Sequence, residues 1–88
     1  MLSKQFKIVN KLGLHARAAA QLVQTANRFK SDVTVEKDDT EVNGKSIMGL
    51  LMLAAPQGSS VHLTVAGEDA EAAMEAIGNL INDGFGED

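Results

Sequence analysis

Each stretch of this chain that alternates polar and apolar residues has only one apolar face, which confines the fold to a sheet covered on one side. Val61, Leu63 and Val65 alternate with His62 and Thr64, the period of a half-buried strand. Over residues 4 to 9, Phe6 and Ile8 share one face while Gln5 and Lys7 take the other. Val33 and Val35 alternate with Thr34 and Glu36, Lys37-Asp38-Asp39-Thr40 supplies turn chemistry, and Glu41-Val42-Asn43 returns as a short partner strand, with Asn43-Gly44 closing the hairpin. A sheet covered on both faces would read as continuous apolar runs, so the helices gather on one side.

Three segments carry helical spacing. From Ala16 to about Phe29, the positions Ala19, Leu22, Val23 and Ala26 make one stripe, after which Arg28, Lys30 and Ser31 lead the chain toward solvent. Ser46 caps a second helix through Ile47, Met48, Leu50, Leu51 and Leu53, which ends at Ala54-Ala55-Pro56-Gln57-Gly58 because proline cannot continue it. The third runs from about Asp69 to Asn82, with Glu68 and Asp69 suited to its positive end and Gly84 to its stop.

Length and composition narrow the chemistry. At 88 residues the chain is expected to form one domain with one core and little room for a deep active site. Without cysteine, disulfides, thiolate metal sites and thiol nucleophiles are excluded. A formal charge of -4 and only three aromatics, all phenylalanine, supply neither the basic face nor the stacking platforms that nucleic acid requires. The sequence has no apolar run of spanning length and no signal-peptide pattern, so a soluble cytoplasmic protein with no membrane insertion is expected. His15 and His62 have no metal-ligand spacing. His62 falls on the solvent side of its strand, and neither a metal nor a cofactor is expected.

His15 stands where the loop containing Gly13 meets the start of the first helix. Unpaired backbone N–H groups and the positive end of the helix dipole converge at such a point. A phosphoryl group on the imidazole would there accept hydrogen bonds from the N–H groups of Ala16 and Arg17, with the Arg17 guanidinium as a further donor. The same potential disfavours imidazolium and leaves a nitrogen lone pair for attack on phosphorus. On position alone an ordinary surface histidine remains the weightier reading, since histidine with arginine two residues on is a weak motif.

The longer run is specific. Asn10-Lys11-Leu12-Gly13-Leu14-His15-Ala16-Arg17-Ala18-Ala19 resembles the active-site segment of the histidine-containing phosphocarrier (HPr) family and of its nitrogen-related paralogue. Gly44-Lys45-Ser46-Ile47-Met48-Gly49-Leu50 resembles the family's regulatory serine segment, and length, element order and the Ala54 to Gly58 turn also match. Ala18 departs from the pattern: the family usually has proline there, whose fixed dihedral would preorganise the helix start.

The resemblance implies an HPr-like α+β open-faced two-layer sandwich of order β-α-β-β-α-β-α. Its four-stranded antiparallel sheet carries three helices on one face, and the fold spans residues 1–88 as one domain. It implies a phosphoryl carrier of the phosphoenolpyruvate-dependent phosphotransferase system, a co-substrate rather than a stand-alone enzyme, and a monomer. Enzyme I would phosphorylate His15 on Nδ1, Arg17 would stabilise charge on the transferring group, and EIIA proteins or domains would accept it. Ser46 would be the target of an ATP-dependent HPr kinase/phosphorylase, acting through repulsion at a docking partner. Ile47 and Met48 differ by about 100° around a helix and cannot share one buried face with Leu51. By resemblance, Ile47, Met48 and Leu51 belong to the surface on which Enzyme I and EIIA dock.

Two other classes stay open at this point. Ferredoxin-like domains with a similar element order bind small regulatory molecules at helix ends, but that class leaves the His-Ala-Arg segment without a role. The nitrogen-related branch controls metabolism rather than sugar transport, and the tail from Asn82 to Asp88 resembles it.

Overall fold

The computed structural model describes residues 1–87. The chain forms β1 (Leu2–Lys7), α1 (Ala16–Ala26), β2 (Asp32–Lys37), β3 (Thr40–Asn43), α2 (Ile47–Leu53), β4 (Ser60–Ala66) and α3 (Ala70–Asn82), followed by a 3-10 turn at Gly84–Gly86. The strands lie in the order β1-β4-β2-β3, and all three neighbouring pairs are antiparallel. This is the α+β arrangement that the alternating strands require, with α3 against β1 and β4, α2 against β2 and β3, and α1 packed on the other two helices.

Burial follows the two periods. On β4, Val61, Leu63 and Val65 are buried between exposed Ser60 and His62 and half-buried Thr64 and Ala66; each such apolar side chain contributes about 1.5 to 3 kcal/mol of transfer free energy. On α1 the buried residues are Ala18, Ala19, Leu22, Val23 and Ala26. Leu50 and Leu53 of α2 enter the same core, as do Ala73, Ile77 and Ile81 of α3. Gly78 lets α3 approach the sheet closely: a Cβ there would stand 2.8 Å from the Phe6 ring.

Several boundaries differ from the sequence reading. The first strand is β1, Leu2–Lys7, shifted from residues 4 to 9. Ile8 is nonetheless buried and exchanges backbone hydrogen bonds with Gly58 (2.7 Å) and Ser59 (2.8 Å), while Val9 is exposed. Helix α1 ends at Ala26 rather than near Phe29, because Arg28 and Phe29 donate to carbonyls three residues back, Thr25 and Ala26, and tighten the chain out of the helix. The hairpin turns at Asp38 and Asp39, both with positive φ (48° and 68°), between paired Lys37 and Thr40, as a two-residue loop matched to strand twist requires. Asn43-Gly44 closes its open end, where Asn43 pairs with Thr34 and Gly44 N–H donates to the Val33 carbonyl at 2.7 Å.

Ser31 does not lead to solvent. It is buried, and Asp69 accepts hydrogen bonds from the backbone N–H of Lys30 (2.8 Å) and of Ser31 (3.0 Å), and from Ser31 Oγ (2.5 Å). The Asp69 side chain therefore ties the entry of α3 to the end of α1 and makes no capping bond to its own helix. Gly84 stops α3 in the left-handed region (φ 64°), as glycine past a C-cap does. Phe85 then turns into the core, also at positive φ (57°), which directs the tail back across the molecule.

Candidate functional site

The loop before α1 is fixed by a close approach of backbones. Gly13 has φ 67°, and a Cβ on it would lie 2.5 Å from the Ala55 carbonyl oxygen and 2.9 Å from Pro56 Cα, so only glycine fits. Leu14 is buried and donates its N–H to the Ala55 carbonyl at 2.9 Å. The Asn10 carbonyl accepts from Gly13 N–H at 3.1 Å, and Asn10 Nδ2 donates to the Gly13 carbonyl at 2.8 Å. The turn between α2 and β4 and the turn that presents His15 are thus one hydrogen-bonded unit.

His15 is the N-cap of α1, in extended geometry (φ -81°, ψ -179°), and its side chain makes no cap bond. Its carbonyl accepts the first helical hydrogen bond, from Ala19 N–H at 2.8 Å. The N–H groups of Ala16, Arg17 and Ala18 have no hydrogen-bond acceptor among the described residues. The donors of the exposed residues Ala16 and Arg17 therefore lie at the open, positive end of an 11-residue helix, an arrangement that receives anions. These are the two residues named from the sequence; Ala18, which has an N–H where proline would have none, is buried. Arg17 is exposed and pairs with no carboxylate within ion-pair distance among the described residues.

The imidazole is less open than the sequence suggested. Its side chain keeps 27% of its surface exposed, and Nε2 is hydrogen-bonded to Glu87 Oε2. The other carboxylate oxygen, Oε1, accepts from Asn10 Nδ2 at 3.0 Å. Hydrogen bonds from His15 and then Asn10 hold the Glu87 carboxyl below its ordinary pKa, helped by the nearby charges of His15 and Arg17. An ionised carboxylate only accepts, so the hydrogen between the two residues belongs to His15 Nε2. Nδ1 makes no hydrogen bond among the described residues. Neither Asn10 nor Glu87 was a site residue on sequence grounds. Asn10 stood within the quoted run, but nothing local relates Glu87 to a histidine 72 positions away.

The second region is α2. Ser46 is its N-cap, with Oγ accepting from Gly49 N–H at 3.1 Å. Leu50 and Leu53 are buried, whereas Ile47 (41%), Met48 (71%), Leu51 (36%) and Met52 (75%) are exposed. The helix thus divides into a core face and an apolar outer face, with Leu51 on the outer one. His62 is exposed on the uncovered side of the sheet. Among the described residues no helix is long and apolar enough to cross a membrane.

Comparison with known proteins agrees with this geometry. Residues 2–83 match the family described as PTS HPr component phosphorylation site. The phosphocarrier protein HPr of Neisseria meningitidis serogroup A is 55% identical over 87 residues, covering 99% of this chain and 98% of the relative. The HPr-like protein Crh of Halalkalibacterium halodurans is 51% identical over 77 residues, 88% of this chain and 92% of that protein. Among solved structures, HPr-C-His from Thermoanaerobacter tengcongensis superposes with a TM-score of 0.96 at 49% identity, over 100% of this chain and 99% of that one.

Proposed function

Since the chain belongs to the HPr family of phosphocarrier proteins, we propose that it carries a phosphoryl group on Nδ1 of His15, taking it from Enzyme I and passing it to EIIA proteins or domains. The observation that carries this reading is the histidine at the N-cap of α1, with one ring nitrogen unengaged beside the backbone N–H groups of Ala16 and Arg17, which have no partner among the described residues. Attack by the Nδ1 lone pair forms the new N–P bond as the donor's N–P bond breaks, and its electron pair stays with the donor nitrogen. The N–H groups of Ala16 and Arg17 offer hydrogen bonds to the phosphoryl oxygens. Arg17, free of any carboxylate partner among the described residues, stabilises charge in transfer.

A shallow, partly exposed nucleophile suits a group that two partners in turn must reach. Ile47, Met48 and Leu51 form the docking surface in this proposal, and Met52 extends it. Apolar side chains left uncovered on a small domain mark contact sites. Ser46 is the proposed regulatory site for an HPr kinase/phosphorylase: a phosphate there adds about two negative charges at the edge of that surface. The protein acts in this reading as a cytoplasmic, monomeric single-domain co-substrate. Incubation with phosphoenolpyruvate and Enzyme I should give acid-labile, base-stable phosphate, lost in His15→Ala; absence of label on wild type with competent Enzyme I would overturn the reading. Acceptance of the label by a sugar-type or a nitrogen-type EIIA decides the branch.

A further inference from the structure

We infer that Glu87 is a positioning residue for the phosphoryl-accepting histidine, its carboxylate holding His15 as the Nε2–H tautomer and so reserving the Nδ1 lone pair for phosphorus. The inference rests on the proposed use of His15 as acceptor and adds a residue from the far end of the chain. Three observations carry it. The carboxylate bridges two donors, His15 Nε2 on one oxygen and Asn10 Nδ2 on the other. Asn10 is 5% exposed and is locked by its second bond to the Gly13 carbonyl, so the bridge is anchored to the same turn that presents the histidine. The tail itself is fixed two residues earlier by Phe85, which is 2% exposed.

The chemical consequence follows from the imidazole ring. A neutral ring has one N–H and one lone pair, and a fixed acceptor at one nitrogen decides which is which. With the hydrogen on Nε2, attack from Nδ1 needs no proton to leave. The N–P bond forms, the donor's bond to phosphorus breaks with its electron pair, and Nε2 keeps its proton throughout. The ring then becomes cationic, and the carboxylate already beside Nε2 stabilises that charge without rearrangement. The arrangement parallels the orientation of a general-base histidine by a carboxylate, with nucleophile and carboxylate on opposite nitrogens.

The test uses the full chain and two variants, Glu87→Gln and Glu87→Ala. Nitrogen NMR of the neutral His15 ring reads the tautomer ratio directly. Phosphoramidate, a small phosphoryl donor that needs no docking surface, reads the reactivity of Nδ1. Both variants are expected to melt within a few degrees of wild type, since Glu87 lies beyond the last helix. In each, the ratio of Nε2–H to Nδ1–H is expected to fall about tenfold, equivalent to about 1.4 kcal/mol, with a three- to tenfold slower reaction with phosphoramidate. A tautomer ratio or a rate that is unchanged in both variants would overturn the inference. If wild type reacts with phosphoramidate but not with phosphorylated Enzyme I, the partner assignment falls and the role of Glu87 stands. Normal labelling by Enzyme I with an unmoved tautomer removes the role of Glu87 alone.

Discussion

Replacing Gly13 with alanine tests the link between the turn and the site most fully. Alanine at φ 67° meets the left-handed penalty of about 1 to 2 kcal/mol. Its Cβ would stand 2.5 Å from the Ala55 carbonyl oxygen and 2.9 Å from Pro56 Cα. Both are backbone atoms, so no side-chain rotation relieves the clash, and overpacking of this kind costs about 1 to 3 kcal/mol. Alanine also restricts the unfolded chain, which returns about 0.4 to 1 kcal/mol. The expected net loss is about 1 to 4.6 kcal/mol, a large share of the roughly 5 to 13 kcal/mol typical of a domain this size. In thermal unfolding followed by circular dichroism, that is a fall in Tm of about 4 to 35 °C. The Leu14 to Ala55 hydrogen bond should also lengthen, and phosphoryl acceptance by His15 should slow even well below the melting range. A loss under about 0.5 kcal/mol would show that the two turns are not rigidly joined, and the account of how His15 is placed would fail.

Three further substitutions probe separate contacts. Ser46→Ala should cost about 1 kcal/mol in urea unfolding through loss of the cap, whereas Ser46→Asp should keep the cap and slow transfer from Enzyme I; an unchanged transfer rate would leave Ser46 with the cap alone. Gly78→Ala brings a Cβ to 2.8 Å from the Phe6 ring. The overpacking cost of about 1 to 3 kcal/mol should exceed the helix-propensity gain of about 1 kcal/mol, and a stabilised variant would contradict the packing described. Asp69→Asn should destabilise the protein at neutral pH. The hydrogen bond from Ser31, foremost, holds the Asp69 carboxyl below its ordinary 3.8. Its contribution is therefore complete above that value and disappears as pH falls through the lower folded one. Denaturation curves of wild type and variant should begin to converge as pH falls below about 4, and a gap that has not narrowed at pH 2 would refute the assignment.

Much of the architecture is legible because it is local. The alternation of Val61, Leu63 and Val65 and the stripe of Ala19, Leu22, Val23 and Ala26 state which faces are buried, and the exposed Ile47 and Met48 follow from the angle between them. The end of α1 is not legible in this way: Phe29 continues the apolar pattern, and side-chain spacing does not separate a helix from the tighter turn made by Arg28 and Phe29. Ser31 reads as a polar exit from a helix until Asp69, 38 positions later, supplies the acceptor that lets it be buried. The site divides along the same line. Gly13, His15 and Arg17 lie within five residues and form a recognisable run. Glu87 reaches His15 only through the left-handed turn at Gly84 and Phe85 and the folding of the tail onto Asn10, relationships that exist in three dimensions and leave no period in the sequence.

The most direct measurement is phosphorus and nitrogen NMR of the intact chain after incubation with phosphoenolpyruvate and Enzyme I. The expected result is a single phosphoramidate-type phosphorus coupled to Nδ1 of His15, with Nε2 still protonated and no signal in His15→Ala. Phosphate on Nε2, on His62, or retained in His15→Ala would contradict the central claim.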